Sequence, residues 1–567
     1  MSHGEARDGP RLVVGYGVAA TGSVALTVAV AGALGPAPAT TVQALAIALV
    51  AALVPAAPAL ARRRGMAAAT VAIAAVAVAL VLGVALAGAT RQLALVLAPV
   101  PAAALEPVLI PRLLRRLPSF ERSLRGARAT RWLWLALGAL FVLQWLHLGA
   151  FMLAPDFRLG SALPFYGASH TCLPAYLRAA ELSQRDPGAL YHRDQYLADA
   201  ARAPDAGAAA GMAEYANDPY HYPPPFAMVP GALRQLSDDF MRLRALWFGL
   251  SALALLALMV AICARLDAPA AWPAAALALA SVNTLYTLQY GQVHFAVMAA
   301  AVAAMFAFEA RRHPLGGALL AFAVATKLFP GVFVVVLIAR RAWRALAWTA
   351  AMGALFVAVS ALVYGLAPYQ AFFAEQLPRL LDGRAFQIFA ADDEFLISNL
   401  GFGSVLHKFD VLVGLPAQAL LTRVVTGAYL LLLLGLAAVV ARRSAPRPEA
   451  QLTRLLALLC LASMVGAYNP ASYGMAPLLW LGAAILVACP PTRGWHWAAA
   501  AGLWVFWQLT PVMGSLPVLW RLTWLHVPVA LAAQLSVIAL AAWPLLSARF
   551  MAVPAPASRS AGTGLEE

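Results

Sequence analysis

Runs of about 20 apolar residues, separated by short basic or proline-rich breaks, recur along the chain. They lie at about 12–35, 42–61, 66–88, 92–110, 132–154, 244–264, 270–288, 292–310, 314–339, 345–366, 419–441, 452–469, 471–488, 495–511 and 523–545. Runs of this length suit helices that cross a hydrocarbon core. They show no strict apolar/polar alternation, which excludes an outer-membrane barrel. The pattern predicts an all-α polytopic membrane protein of about 14–16 transmembrane segments. Two polar segments, 155–242 and 367–418, interrupt it and are expected as loops outside the bilayer. The first run is too long for a signal-peptide core and another follows at once, so an uncleaved helix is expected. The chain thus divides into four leading helices (1–111), a basic loop (112–131), a membrane core (132–545) and a Pro/Ala/Ser/Gly-rich tail (546–567). The tail is expected to be disordered and cytoplasmic. No 20–50-residue repeat is visible.

Charge gives this layout a direction. The 567 residues are 62% hydrophobic and only 11% charged, against about a quarter in soluble domains. The net charge of +15 does not point to nucleic acid, because the arginines fall between apolar runs and not along one surface. It fits the cytoplasmic bias of Lys and Arg in membrane proteins. Segment 112–131 carries seven arginines and one acid and is the strongest inside marker. The run 132–154 then leads outward, which places 155–242 on the extracytoplasmic face of an inner or plasma membrane. That loop holds 10 of the 25 acidic residues and 367–418 holds six more. Both loops stay outside, and Arg311/Arg312, Arg340/Arg341/Arg344 and Arg442/Arg443 all stay inside, only if 314–339 is two short helices broken at Lys327–Pro330. Proline cannot continue an unstrained helix, so the break has a local cause. The four cysteines, Cys172, Cys263, Cys460 and Cys489, show no metal or disulfide spacing.

Few residues have chemistry to offer. Lys327 is one of two lysines against 38 arginines and lies among apolar neighbours. An ionisable group there serves a site, naturally a phosphate entering from the lipid, or snorkels to the interface. Around Gly291 two helices meet with almost no loop, and Asn283, Gln289, Gln292 and His294 gather at one membrane edge. They bind a ligand there or hold the bundle together by hydrogen bonds. The block Tyr220-His221-Tyr222-Pro223-Pro224-Pro225-Phe226, preceded by Asp218, reads as a stiff extended segment: a substrate groove or a connector. Asp156 and His170, just past the 132–154 run, are candidate general bases. Asp392-Asp393-Glu394 suits a divalent cation or a solvated acidic turn, and the turn is the expected reading. No P-loop, dinucleotide fingerprint or HExxH is present.

Tyr222-Pro223-Pro224, Gly291-Gln292-Val293-His294, Lys327-Leu328-Phe329-Pro330 and Arg340-Arg341-Ala342-Trp343-Arg344 follow a basic loop and an outward helix in that order. Over about 132–490 the chain resembles the polyprenol-phosphate-sugar-dependent glycosyltransferases of family 87, which have the GT-C fold and include α-mannosyltransferases. The resemblance implies an inverting transfer of a hexose, with mannose the first candidate, from a polyprenyl-phosphate sugar to a lipid-linked or cell-surface glycan. It implies a base at Asp156 or His170, donor-phosphate binding by Lys327, Gln292 and His294, and a groove at Tyr220, Tyr222 and Asp218. No metal and no cofactor are expected. The partners are the lipid donor, the glycan acceptor and membrane lipids, with no nucleic acid. Two positions depart from the family pattern. Cys172, in Cys172-Leu173-Pro174-Ala175-Tyr176, stands where an Asp is usual, and His294 stands where the turn usually ends in Asn. The rival classes are a transporter or flippase of a lipid-linked sugar, and an inactive relative. A transporter should show symmetry between halves and polar groups near the midplane of several helices, and neither is visible.

Overall fold

The structure, a computed structural model, describes residues 118–124, 145, 148, 172–196, 219–382, 385, 399–414, 419–443, 447–465, 476–489, 499, 502–503 and 523–547. The four leading runs, Asp156, His170, Asp218 and Asp392–Glu394 lie outside them. The longer helices are α1 (Leu173–Arg185), α2 (Phe240–Leu266), α3 (Ala271–Leu279), α4 (Val282–Gln289), α5 (His294–Glu309), α6 (His313–Thr326), α7 (Val332–Ala339) and α8 (Trp343–Tyr364). After them come α9 (Ser404–Val413), α10 (Ala419–Arg442), α11 (Pro448–Ser463), α12 (Ala476–Ala488) and α13 (Thr523–Leu546). Among the described residues four helices are long and apolar enough to cross a bilayer: α2, α8, α10 and α13. The bent pair α4–α5, turning through 108°, makes a fifth if counted as one span. The protein is an all-α polytopic membrane protein.

The bends have local causes. The run 270–288, expected as one helix, is two. Ser281 ends the first stretch in an extended conformation and caps α4, its hydroxyl accepting from the Thr284 amide at 3.2 Å. Between α4 and α5, Gly291 takes φ 66°. Its amide reaches Leu288 O at 3.0 Å and the Gln292 amide reaches Thr287 O at 3.1 Å. This is a Schellman stop, and glycine is the residue that enters the left-handed region without strain. The run 314–339 is broken where Lys327 turns extended (φ −138°, ψ 135°) and Phe329–Gly331 forms a 3₁₀ turn. Pro330 brings no N–H to continue α6. The block expected to be extended through three prolines is extended only to Pro223. Pro224–Ala227 is a 3₁₀ turn leading into a helix at Met228–Arg234, because proline is pre-set for a first helical turn.

The bundle has two chemically different ends. At one, Arg265 pairs with Glu309, Gln451 also donates to Glu309, and Arg122 pairs with Asp267 at 3.0 Å. Arg340 donates to Ala441 O at 3.1 Å and Arg454 to Arg443 O at 3.0 Å, so two guanidinium groups hold carbonyls at the C-terminus of α10. The other end gathers α1, the Tyr220–Phe226 block, the Gly291 turn and Lys327. The Cys172 amide donates to Tyr290 O at 2.7 Å and Trp247 Nε1 to Gly291 O at 2.7 Å. α6 rises between the two ends by about 21 Å for its 14 residues.

Candidate active site

Three sequence-distant elements close on one amide. Gln292, held at the start of α5 by the Gly291 turn, is buried. Its Oε1 is 2.7 Å from the Tyr222 hydroxyl and 2.9 Å from that of Tyr176, and the two hydroxyls are 2.9 Å apart. A phenol carries one proton, so two protons serve three short contacts and each hydroxyl is shared. Burial, with Tyr222 and Cys172 beside it, raises the Tyr176 phenol far above its ordinary value and keeps it a donor. The Gln292 amide nitrogen reaches Cys172 Sγ at 3.5 Å. Cys172, which the resemblance sets at the position of a usual Asp, therefore lies in the cluster.

Lys327 approaches from the other side. Its Nζ stands 3.4 Å from His294 Nδ1 and 5.4 Å from the centre of the Tyr222 ring, within cation–π range. His294 is buried and stacks on Phe329 at 5.2 Å, so the break in the 314–339 segment supplies both the lysine and the ring that seats its partner. Cys172 lies within electrostatic reach of the ammonium.

An aromatic floor supports this group. The Tyr176 ring meets Tyr222 and Phe226 edge-on, each at 5.1 Å, and Tyr220 stacks between Tyr191 at 5.9 Å and Phe226 at 6.4 Å. Tyr191 donates to Tyr222 O at 2.9 Å and Tyr220 to Pro223 O at 3.2 Å, which holds the Tyr-Pro-Pro backbone. Buried aromatics of this kind place hydroxyls firmly because only two torsions must be fixed.

The second polar segment closes over the first at a π-helical turn, Phe372–Gln376. Phe372 packs on Tyr191 at 5.8 Å, Glu375 lies 3.8 Å from His192, and Gln376 Nε2 is 2.8 Å from His221 Nδ1. Burial pushes the His221 imidazole down to about 3, with Arg193 and Lys327 adding to the effect, so it is neutral at physiological pH. Single π turns recur at functional sites.

Of the residues singled out in the sequence, Tyr220, Tyr222, Gln292, His294 and Lys327 come together in one group. Asn283 and Gln289 are buried in α4. Sequence reasoning passed over Tyr191, His221 and Gln376 as partners. Tyr176 was legible only as the Tyr four residues after Cys172.

The second lysine, Lys408, is fully buried elsewhere. Its Nζ donates to Asn399 O and Gln534 Oε1, each at 2.6 Å, and to Ser404 Oγ at 3.4 Å.

Comparison with curated proteins and with solved structures finds no match. A model of glycosyltransferase family 87 matches residues 220–465, which contain the Tyr-Pro-Pro block, the Gly-Gln turn and the lysine; Cys172 and Tyr176 precede the matched stretch. Residues 220–465 are therefore similar to glycosyltransferase family 87, a family of glycosyl-transferring enzymes.

Proposed function

We propose that this membrane protein transfers a hexose, with mannose the first candidate, from a polyprenyl-phosphate sugar to a lipid-linked or cell-surface glycan, on the extracytoplasmic face of the inner or plasma membrane. The observation that carries the reading is the single polar group formed by Lys327, His294, Gln292, Tyr176 and Tyr222 at a broken-helix end of a membrane bundle. A lipid phosphate delivered from the bilayer meets a cation and hydrogen-bond donors there, with no nucleotide to be bound. In an inverting transfer the acceptor oxygen attacks the anomeric carbon opposite the phosphate. The C–O bond to phosphate breaks with its electron pair, and the new phosphate charge falls to Lys327, with Gln292 and His294 as further phosphate contacts. The acceptor proton goes to Asp156 or His170, as the resemblance implies. Tyr220, Tyr222 and Asp218 line the path of the sugar.

The test is transfer from synthetic polyprenyl-phosphate sugars by purified protein in detergent, comparing the wild type with Asp156→Asn, His170→Ala and Lys327→Ala. Transfer by the wild type and its loss in Lys327→Ala and in one of the other two is the expected result. No transfer from any donor, together with lipid translocation in liposomes, would replace the enzyme with a flippase.

A further inference from the structure

Helices α5 and α7 end in the same turn, and both place an arginine where the backbone favours glycine. The Arg311 amide bonds Phe308 O at 3.0 Å and the Arg312 amide Ala307 O at 2.8 Å. The Arg341 amide bonds Ile338 O at 2.9 Å and the Ala342 amide Leu337 O at 2.9 Å. These are Schellman stops with Arg311 at φ 58° and Arg341 at φ 55°. The α4 stop, built from the same two bonds, uses Gly291. Only Asp267 joins these two arginines as a non-glycine residue with positive φ among those described. A left-handed conformation is strained for a residue with a Cβ, and strain that persists marks a side chain in use.

The two turns stand side by side. α6 and α8 touch backbone to backbone where a Cβ on Gly317 would lie 2.6 Å from the Trp348 carbonyl carbon. Gly317 is four residues into α6 and Trp348 five into α8, so the helix starts that follow the two turns are level. Arg311, Arg312, Arg340 and Arg341 are all exposed. Glu309 at this corner is engaged by Arg265 and Gln451 and also lies within electrostatic reach of Arg340. Leu315, Ile338 and Trp343, within three residues of these arginines in the chain, are 49%, 47% and 59% exposed.

We propose that the paired turns Arg311/Arg312 and Arg340/Arg341 form a headgroup site for an anionic phospholipid. Guanidinium forks suit phosphodiester oxygens, and basic corners between membrane helices hold such headgroups. The exposed apolar side chains next to them take the acyl chains, with Trp343 at the level of the interface. A free phosphate would have no use for that apolar border.

Arg311→Gly with Arg341→Gly is the decisive variant, because glycine removes the charge and relieves the backbone together. Protein exchanged into mixed phosphatidylglycerol/phosphatidylcholine nanodiscs is released and its bound lipid read by native mass spectrometry. The wild type should retain phosphatidylglycerol in preference, and the double variant should lose about tenfold or more of that preference, with a Tm equal to or above wild type. Undiminished retention in the double variant overturns the proposal. So does an equal loss in Arg185→Gln with Arg379→Gln, which removes one exposed and one half-buried charge at the other end. Displacement of the lipid by millimolar glycerol phosphate would make the site one for soluble phosphate and also overturns it.

Discussion

The ammonium of Lys327 stands 3.4 Å from Nδ1 of His294. An ammonium only donates, so Nδ1 accepts and the imidazole proton lies on Nε2. The pair therefore presents a full charge and hydrogen-bond donors from two helix ends. Lys327→Ala should lower kcat about 10²–10³-fold, the usual loss when one charge-stabilising donor is removed. Lys327→Arg should lose less, because it keeps the charge but not the compact geometry. His294→Asn restores the residue usual in the family turn and should retain most of the activity. Initial rates of sugar transfer from a polyprenyl-phosphate donor decide this. Equal activity in wild type and Lys327→Ala would remove the lysine from the mechanism.

Gln292 links two tyrosines that lie 46 residues apart in the chain. Tyr176→Phe or Tyr222→Phe alone leaves one hydroxyl on Gln292 Oε1, so each should cost about 1 kcal/mol of stability. The double replacement leaves that oxygen without either. It should cost more than the two singles together, by about 1 kcal/mol. Thermal unfolding in detergent of the four proteins gives the coupling. Additive losses would mean the three groups do not act as a unit.

The all-α membrane class, the break at Lys327 and the tight turn at Gly291 were legible because each rests on local chemistry: apolar run length, a proline, a glycine. The outcome at 270–288 was not, because a single serine cap does not interrupt an apolar run. The convergence of Tyr222, Gln292 and Lys327 was legible only through the family resemblance. What sequence could not give was the partner list. Tyr191 on Tyr222 and Gln376 on His221 are set by how two polar segments fold over each other, and neither residue carries a periodicity or a motif. Lys408 falls within 367–418, expected as an outer loop, yet its three protons are fully used inside the bundle. Its acceptors come from the 399–404 stretch and from α13, more than a hundred residues further on.

His221 makes stability depend on pH. Its imidazole is held down at about 3 by burial and by Arg193 and Lys327, against about 6.5 when unfolded. The unfolded chain then binds more protons between those values, so stability rises with pH across that window. The contribution is fully present above about 6.5 and falls away toward 3, with a slope of up to about 1.4 kcal/mol per pH unit. His221→Gln should flatten the profile of Tm between pH 4 and pH 6.5. An unchanged slope in the variant would assign the acid sensitivity to other groups.

Lys408 is the centre of a buried polar node. Its ammonium has three protons and three acceptors, Asn399 O, Gln534 Oε1 and Ser404 Oγ. Gln534 passes the connection on, donating to Gly401 O at 2.7 Å and Leu400 O at 3.1 Å. One lysine thus fastens the 399–404 stretch to α13. Lys408→Ala removes the donor from three buried acceptors and opens a cavity, so it should cost about 3 kcal/mol or more. Lys408→Met keeps most of the volume and loses only the hydrogen bonds, about 1–3 kcal/mol. The expected order of Tm is wild type, then Met, then Ala. Gln534→Leu in the Lys408→Met background should cost less than it does in the wild type, because Oε1 has already lost its donor. If Lys408→Ala melts with the wild type, the node does not hold α13, and the segment must be fixed by Phe402, which stacks on Tyr429 at 4.1 Å and whose amide bonds Met464 O at 2.8 Å.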